Sequence, residues 1–374
     1  MVEAGIRRTP PERVLVRHSE DLPGAVRDCL DFLDRDFSGR RVWVKPNLIS
    51  PHRPDRSVTT DPELVRAVVR ELRRRGAAEI TVADNPGGWL RVNIESYLAP
   101  TGIVEASEGC FRSIAEATVT LPLRSRFLDE LRFSRIVTEV DLILVLPVFK
   151  THAFTVLSGG IKNLFGAIPG GIKGRLHTLV RDDLEFAELV VDIFQAIPAP
   201  MLFLMDAQRG MDGPGPTAGR ARRIGRLLAA RNGVALDTVM ALMCGARPDS
   251  IPMLRIAGER GLGPTRREDI AIEGDFYVVP GFRLPGRALT GPVTALVARV
   301  YPIARARPLL RQDRCTRCRR CADNCPVEAL ALVPWPLVDR DKCISCYCCT
   351  EVCPQQALTV PGPWRGLVQN LIGR

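Results

Sequence analysis

Lysine is scarce in this chain. Among 374 residues, 52 are Lys or Arg, and the only lysines are Lys45, Lys150, Lys162, Lys173 and Lys342. Arginine therefore carries nearly all the positive charge, and the formal net charge of +10 reads as a compositional habit rather than as a nucleic-acid footprint. Aromatics are also few, 6%, and they are not interleaved with the basic residues. That weighs against a platform on which single-stranded bases stack. No apolar run approaches the roughly 20 residues of a membrane span, and the longest, DLILVLPVF, reads as a buried strand. The opening MVEAGIRRTPPERV lacks the apolar stretch of a secretory leader. The expectation is a protein of a reducing cytoplasm with no transmembrane segment.

Familiar reaction motifs are missing too. There is no GxxxxGK[ST] phosphate loop, no HExxH and no GxSxG. The glycines of Gly258-Glu259-Arg260-Gly261-Leu262-Gly263 stand in the wrong order for a dinucleotide fingerprint. Nothing here points to a bound hydride donor, so electrons would have to arrive another way. What remains is an ordinary globular composition, 46% hydrophobic and 25% charged, in a chain long enough for two or three domains.

Cysteine, by contrast, is abundant and unevenly placed. Cys29, Cys110 and Cys244 are scattered, while the other nine of the twelve crowd between Cys315 and Cys353. A secreted disulfide framework would spread its pairs through a small domain. Here Cys315-x2-Cys318-x2-Cys321-x3-Cys325-Pro326 is repeated 28 residues later as Cys343-x2-Cys346-x2-Cys349-x3-Cys353-Pro354. Structural zinc asks for four ligands, commonly as two pairs, and does not call for two such runs. Three thiolates in a tight loop can instead grip three corners of a cubane iron–sulfur cluster.

The paired runs resemble the bacterial two-cluster ferredoxin family over residues 306–361. The resemblance implies two [4Fe–4S] clusters, each completed by the Cys-Pro cysteine of the other run. Carried over, one cluster takes Cys315, Cys318, Cys321 and Cys353; the other takes Cys343, Cys346, Cys349 and Cys325. Cys348 is then an extra thiol. Arg314, Arg317, Arg319 and Arg320 surround the first run and should raise its potential relative to the second.

Upstream, strands and helices alternate. Arg41–Lys45, Glu79–Ala83, Asp141–Leu146 and Met201–Met205 read as strands, with another around Arg226–Ala230 leading through Asn232-Gly233 into a helix Val234–Met243. Asp61-Pro62-Glu63 starts a helix that Gly76 ends. The alternation predicts an α/β fold, a mainly parallel sheet with helices on both faces, followed by a small α+β ferredoxin-like domain. Polar loops follow the strands: Lys45-Pro46-Asn47, Asp84-Asn85-Pro86-Gly87-Gly88, Lys150-Thr151-His152, and Asp206 to Pro216 with Asp212 inside. In a parallel sheet such loops converge on one crevice. The stretch Lys150–His177 holds three of the five lysines. Gly159-Gly160 precedes a short helix bearing Lys162 and Asn163, whose first N–H groups could face an anion. Gly170, Gly171 and Gly174 read as a flexible loop carrying Lys173 toward His177. Asp237 sits near a helix start.

Taken together, KPNL, ADNPGG, FKTH, GGIKNLFGAIPGGIKGRLH, MDAQRGMDGPGP and VALDTV resemble the domain of unknown function 362 family over roughly residues 12–285, a family that often carries a C-terminal two-cluster ferredoxin. The expected layout is that α/β domain, a linker over 286–305, the ferredoxin-like domain over 306–361 and a tail helix over 362–374. The leading functional expectation is a ferredoxin-linked oxidoreductase acting on a small anionic molecule, a carboxylate or phosphate. Lys150 would bind and take part in the chemistry, and His152 or His177 would exchange the proton. Lys45, Asn47, Lys162, Asn163 and Lys173 would hold the substrate. Asp84, Asp206 and Asp212 would orient those groups or bind a divalent cation. The alternative is a non-enzymatic electron carrier whose α/β domain docks a partner protein. Either reading calls for an electron donor or acceptor protein.

Overall fold

The computed structural model describes residues 10–86, 93–285, 307–344 and 346–359. The expected linker over 286–305, the tail helix over 362–374, and Gly87 and Gly88 lie outside the described residues.

In chain order, the α/β part contains β1 (Glu12–His18), β2 (Arg41–Pro46), β3 (Glu79–Val82), β4 (Thr118–Pro122), β5 (Glu130–Ser134), β6 (Leu142–Leu146), β7 (Val148–His152), β8 (Val156–Leu157), β9 (Met201–Asp212), β10 (Arg220–Ala230) and β11 (Ile270–Gly274). β4 and β5 form a separate hairpin; the other nine make one sheet in the order β11-β1-β10-β9-β6-β2-β3, with β7 on β9 and β8 on β7. Most of its pairings are parallel: β1–β11, β2–β3, β2–β6, β6–β9 and β7–β9.

The central strand β6, LILVL, is buried throughout because both faces of the sheet are covered. Ile143, Val145, Phe203 and Met205 join a core with the helices Asp183–Ala196 and Gly233–Met243. Leu142, Leu144, Leu202 and Leu204 join the opposite core with Leu22–Phe32 and Pro62–Arg74. The fold is therefore the expected α/β sheet with a helical layer on each face. Asp61 caps Pro62–Arg74 by accepting the Glu63 N–H, and Gly76 follows in the left-handed region at φ 75°.

Several local expectations need correction. The apolar run DLILVLPVF is split at Pro147 into β6 and β7, and Lys150-Thr151-His152 is the buried end of β7 rather than a loop. The segment from Asp206 to Asp212 continues β9 and is not a loop, and β10 begins at Arg220, not near Arg226. Antiparallel pairing carries this ribbon, with Asp212 opposite Arg220 and Gly210 opposite Arg222. Cross-strand partners override the weak strand preference of Asp and Gly. Likewise Gly170–Leu179 is a helix despite Gly170, Gly171 and Gly174, so Lys173 and His177 stand four residues apart along one helix face.

The C-terminal part repeats itself in structure as well as in sequence. Helices Arg320–Asp323 and Cys348–Glu351 correspond, each preceded by a left-handed residue, Arg319 and Tyr347. Glu328 and Gln356 form a second left-handed pair. β12 (Leu309–Leu310) pairs antiparallel with β15 (Leu358–Thr359), and β13 (Leu330–Leu332) with β14 (Pro336–Val338). This module packs on the α/β part at named points. Gln356 accepts from the Arg56 guanidinium and donates to the Thr217 carbonyl. The Thr217 hydroxyl donates to Thr350 O at 3.4 Å, and the Arg320 guanidinium lies 5.0 Å from the Tyr97 ring centre.

Candidate functional site

An open crevice of about 820 Å³, counting the solvent at its mouth, lies where the two parts meet. Its α/β wall takes Asn47 and Leu48 from the end of β2 and Asp84 and Asn85 from beyond β3. Ser158, Lys162, Asn163, Phe165, Lys173 and His177 come from the segment after β8. The facing wall is Asn324, Cys348 and Val352 of the C-terminal module. Of the residues expected at a site, Asn47, Asp84, Lys162, Asn163, Lys173 and His177 are thus brought together. Asn85 came with its loop but was given no role, and Phe165, Asn324 and Cys348 were missed by the sequence reading, which noted Cys348 only as an extra thiol.

Beneath the wall lies Lys45, fully buried, with Nζ 2.9 Å from Asp84 Oδ1 and 3.5 Å from Asn163 Oδ1. Burial pushes its ammonium down, and Asp84 opposes that shift. The same carboxylate accepts the N–H groups of Leu48 and Asn85, each at 2.8 Å. Lys45 is thus paired with Asp84, and the pair ties the ends of β2 and β3 together. Asn85 donates from Nδ2 to Ser134 Oγ and to Gly166 O, both at 2.9 Å, and its backbone carbonyl accepts from Lys173 Nζ. His177 stacks on Phe186, with ring centres 4.6 Å apart, and meets Phe154 and Phe165 edge-on. An imidazole held flat by three aromatic rings has its orientation fixed before any ligand enters. The Lys162 ammonium lies 5.7 Å from the Phe165 ring centre and is only half-buried.

Other expected residues lie elsewhere. Lys150, on β7, is buried and donates to Val58 O at 2.5 Å, the same carbonyl that accepts from Asn47 Nδ2. His152 closes the β7–β8 hairpin: its Nδ1 accepts the N–H groups of Phe154 and Thr155 at 3.1 and 3.3 Å. Asp206 accepts the Asp61 N–H at 2.8 Å, and burial pushes its carboxyl up to about 6. Asp212 is tied to Arg222 at 3.0 Å and Arg220 at 3.3 Å. Asp84, Asp206 and Asp212, expected to orient those groups or to bind a divalent cation, thus face different partners and do not come together.

The helix Gly160–Asn163 brings another correction. Its first N–H groups are not open to an anion, because Gly160 and Ile161 donate to the Asp237 carboxylate at 2.6 and 3.0 Å. Asp237 caps this helix from a neighbouring one. Burial pushes its carboxyl up to about 7, against the pull of those two N–H groups. His52, also missed in the sequence, is buried near Arg56 and Lys150, and burial first and those charges second lower it to about 4, so it is neutral at pH 7.

In the C-terminal module two cavities of nearly equal size separate the cysteines. One is lined by Cys315, Cys318, Cys321 and Cys353, the other by Cys325, Cys343, Cys346 and Cys349. Each Cys-Pro sulfur accepts a backbone N–H four residues on, Ala329 to Cys325 and Ala357 to Cys353, both at 3.2 Å. Four converging sulfurs with N–H···S support fit a cubane cluster in each cavity. Their surroundings differ. Arg317, Arg319 and Arg320 line the first, whereas the second is walled by apolar residues such as Val327, Leu330 and Ile344. No helix is long and apolar enough to cross a membrane among the described residues.

Comparison with known proteins follows this division. A family model described as domain of unknown function 362 matches residues 42–242, and one described as a 4Fe–4S binding domain matches residues 309–331 and 336–359. A thylakoid-associated protein of Synechocystis is 33% identical over 234 residues, which is 62% of this chain and 71% of that one. Among solved structures, a protein from Thermotoga maritima is similar with TM-score 0.39 and 16% identity, over 60% of this chain and 59% of its own. The lactate racemase apoprotein from Thermoanaerobacterium thermosaccharolyticum gives TM-score 0.35 and 16% identity, over 60% and 55%. The chain spans less than two thirds of either structure. With more than half its length matched, the chain belongs to the domain of unknown function 362 family and is an iron–sulfur protein carrying a 4Fe–4S binding domain at its C-terminal side.

Proposed function

We propose that the chain is an oxidoreductase that relays single electrons through two [4Fe–4S] clusters to or from a small anionic ligand in the crevice. The observation that carries this reading is the composition of the crevice walls. Lys162, Lys173 and His177 face Asn324 and Cys348, which directly precede Cys325 and Cys349 of the second cysteine set. A ligand held between those walls lies beside one cluster site. The clusters supply one-electron transfer and no substrate chemistry of their own, so binding and proton handling fall to the protein.

In this reading the Lys162 and Lys173 ammonium groups bind a carboxylate or phosphate. Asn47 and Asn163 bound the site, and His177, oriented by its aromatic neighbours, takes or gives the proton that accompanies electron transfer. Lys45 and Asp84 hold the floor. Lys150, His152, Asp206 and Asp212 act as framework rather than as reacting groups. A carrier without chemistry would keep the same clusters and hold no ligand.

Native mass spectrometry on anaerobically purified protein tests the proposal. The expected result is two cluster masses plus a retained small acid, with the acid lost from the Lys162→Ala/Lys173→Ala variant. Two clusters with no retained molecule, and no acid that binds when added, would leave the carrier and remove the enzyme.

A further inference from the structure

The crevice accounts for one side of the C-terminal module. The opposite question is where electrons enter or leave the chain, and the first cysteine set offers a distinct surface for it. Cys318 is exposed, and so are Arg311, Arg314, Arg317 and Arg319 around it. Two carboxylates lie among these guanidinium groups, Asp313 at 3.9 Å from Arg311 and Asp323 at 3.7 Å from Arg319, both beyond hydrogen-bond distance. Next to this collar the β13–β14 hairpin turns its apolar side chains outward: Val333 is 74% and Leu337 65% exposed. The hairpin belongs to the same place, because Pro336 lines the first cavity and the Arg317 guanidinium lies 5.3 Å from the Trp335 ring centre.

Exposed Val and Leu in a turn, ringed by guanidinium groups, have the make-up of a protein interface, with an apolar centre and a charged rim. A basic rim around a redox centre that reaches the surface at Cys318 favours an acidic partner and speeds its approach. We propose that the Val333–Leu337 hairpin and the arginines around Cys318 form the docking surface for a small acidic one-electron carrier protein. A [4Fe–4S] cluster held by Cys315, Cys318, Cys321 and Cys353 would accept one electron from the reduced carrier or return one to the oxidised carrier, with no atom or proton transferred. An anionic membrane would also be drawn to basic and apolar groups. The surface surrounds the first redox site, and that favours the carrier.

The inference rests on reading the chain as an electron relay, but its test does not involve the crevice, so the two fail separately. The probe is an acidic [2Fe–2S] ferredoxin, titrated calorimetrically and anaerobically into the full chain carrying both clusters. Affinity should fall by about tenfold or more between about 20 mM and about 200 mM NaCl. Arg314→Glu should weaken it by about tenfold at low salt. Val333→Ser/Leu337→Ser, which alters no residue next to a cysteine, should do the same with iron content and both potentials unchanged. Reduction by the photoreduced probe should slow in parallel, while reduction by dithionite in the serine variant should not. Affinity that ignores salt and both variants overturns the proposal. So does an arginine variant that shifts a potential without changing affinity. Loss of binding to phosphatidylcholine vesicles containing phosphatidylglycerol, with ferredoxin affinity intact, assigns the surface to a membrane and equally overturns it.

Discussion

The Lys45 ammonium and the Asp84 carboxylate lie 2.9 Å apart with both side chains almost wholly removed from solvent. Breaking such a pair from one side leaves an uncompensated buried charge, which costs about 3–5 kcal/mol. Lys45→Met and Asp84→Asn should each lower stability by that order, and the double variant should recover part of the loss. Anaerobic thermal unfolding checks this. Two single variants as stable as the parent would show that the pair does not brace the crevice floor.

Cluster membership can be read by removing one ligand at a time. Cys353→Ala should disturb the same paramagnetic signal as Cys315→Ala, and Cys325→Ala the same signal as Cys343→Ala. Cys348→Ser should retain the iron of both sites. A Cys353→Ala protein that instead matches Cys343→Ala would mean that each run completes its own cluster.

His152 and Lys173 should separate in their effects. His152→Ala gives up two N–H···N contacts in the β7–β8 hairpin, at a cost of about 1–3 kcal/mol, yet retains a crevice ligand while folded. Lys173→Ala should stay folded and lose the ligand. Native mass spectra and melting curves on the same samples would expose the opposite pattern.

Acidity offers a further check. Asp206 and Asp237 are raised by burial to about 6 and about 7, so the fold favours their protonated forms. The stability this confers is complete below the ordinary carboxylate range near pH 4 and is lost as pH rises through 6 to 7. Asp206→Asn should flatten part of that decline, by an amount on the order of 2 kcal/mol. The melting temperature of parent and variant between about pH 4.5 and about pH 7.5 gives the comparison; parallel curves would sink it.

The sheet was legible wherever hydrophobic pattern and caps agreed. LILVL, wholly apolar after Asp141, read as a buried strand, although its end at Pro147 was not seen, and Asp61-Pro62-Glu63 announced its helix. The ribbon of β9 and β10 was not legible, because what makes Asp206 to Asp212 a strand is Arg220 to Arg226 lying alongside it. Gly170 to Gly174 concealed a helix for a similar reason: tertiary packing outweighs the roughly 1 kcal/mol that each glycine costs. The crevice was half legible. Scarcity of lysine drew attention to Lys162 and Lys173, but also to Lys45 and Lys150, whose ammonium groups are buried against Asp84 and the Val58 carbonyl. Nothing along the chain could reveal that Asn324 and Cys348 come from the far end to complete the wall, since that depends on how two units pack.

Asp237 bears on how the crevice would hold the anion proposed for it. By occupying the N–H groups of Gly160 and Ile161, it cancels the fixed, directional attraction that a bare helix end would exert. In the proposed reading the pull on an anion would then fall to the ammonium groups of Lys162 and Lys173, a point-charge attraction sensitive to ionic strength, and the choice among anions would pass to the rigid surfaces around them, the imidazole of His177 held against Phe186 and the ring of Phe165.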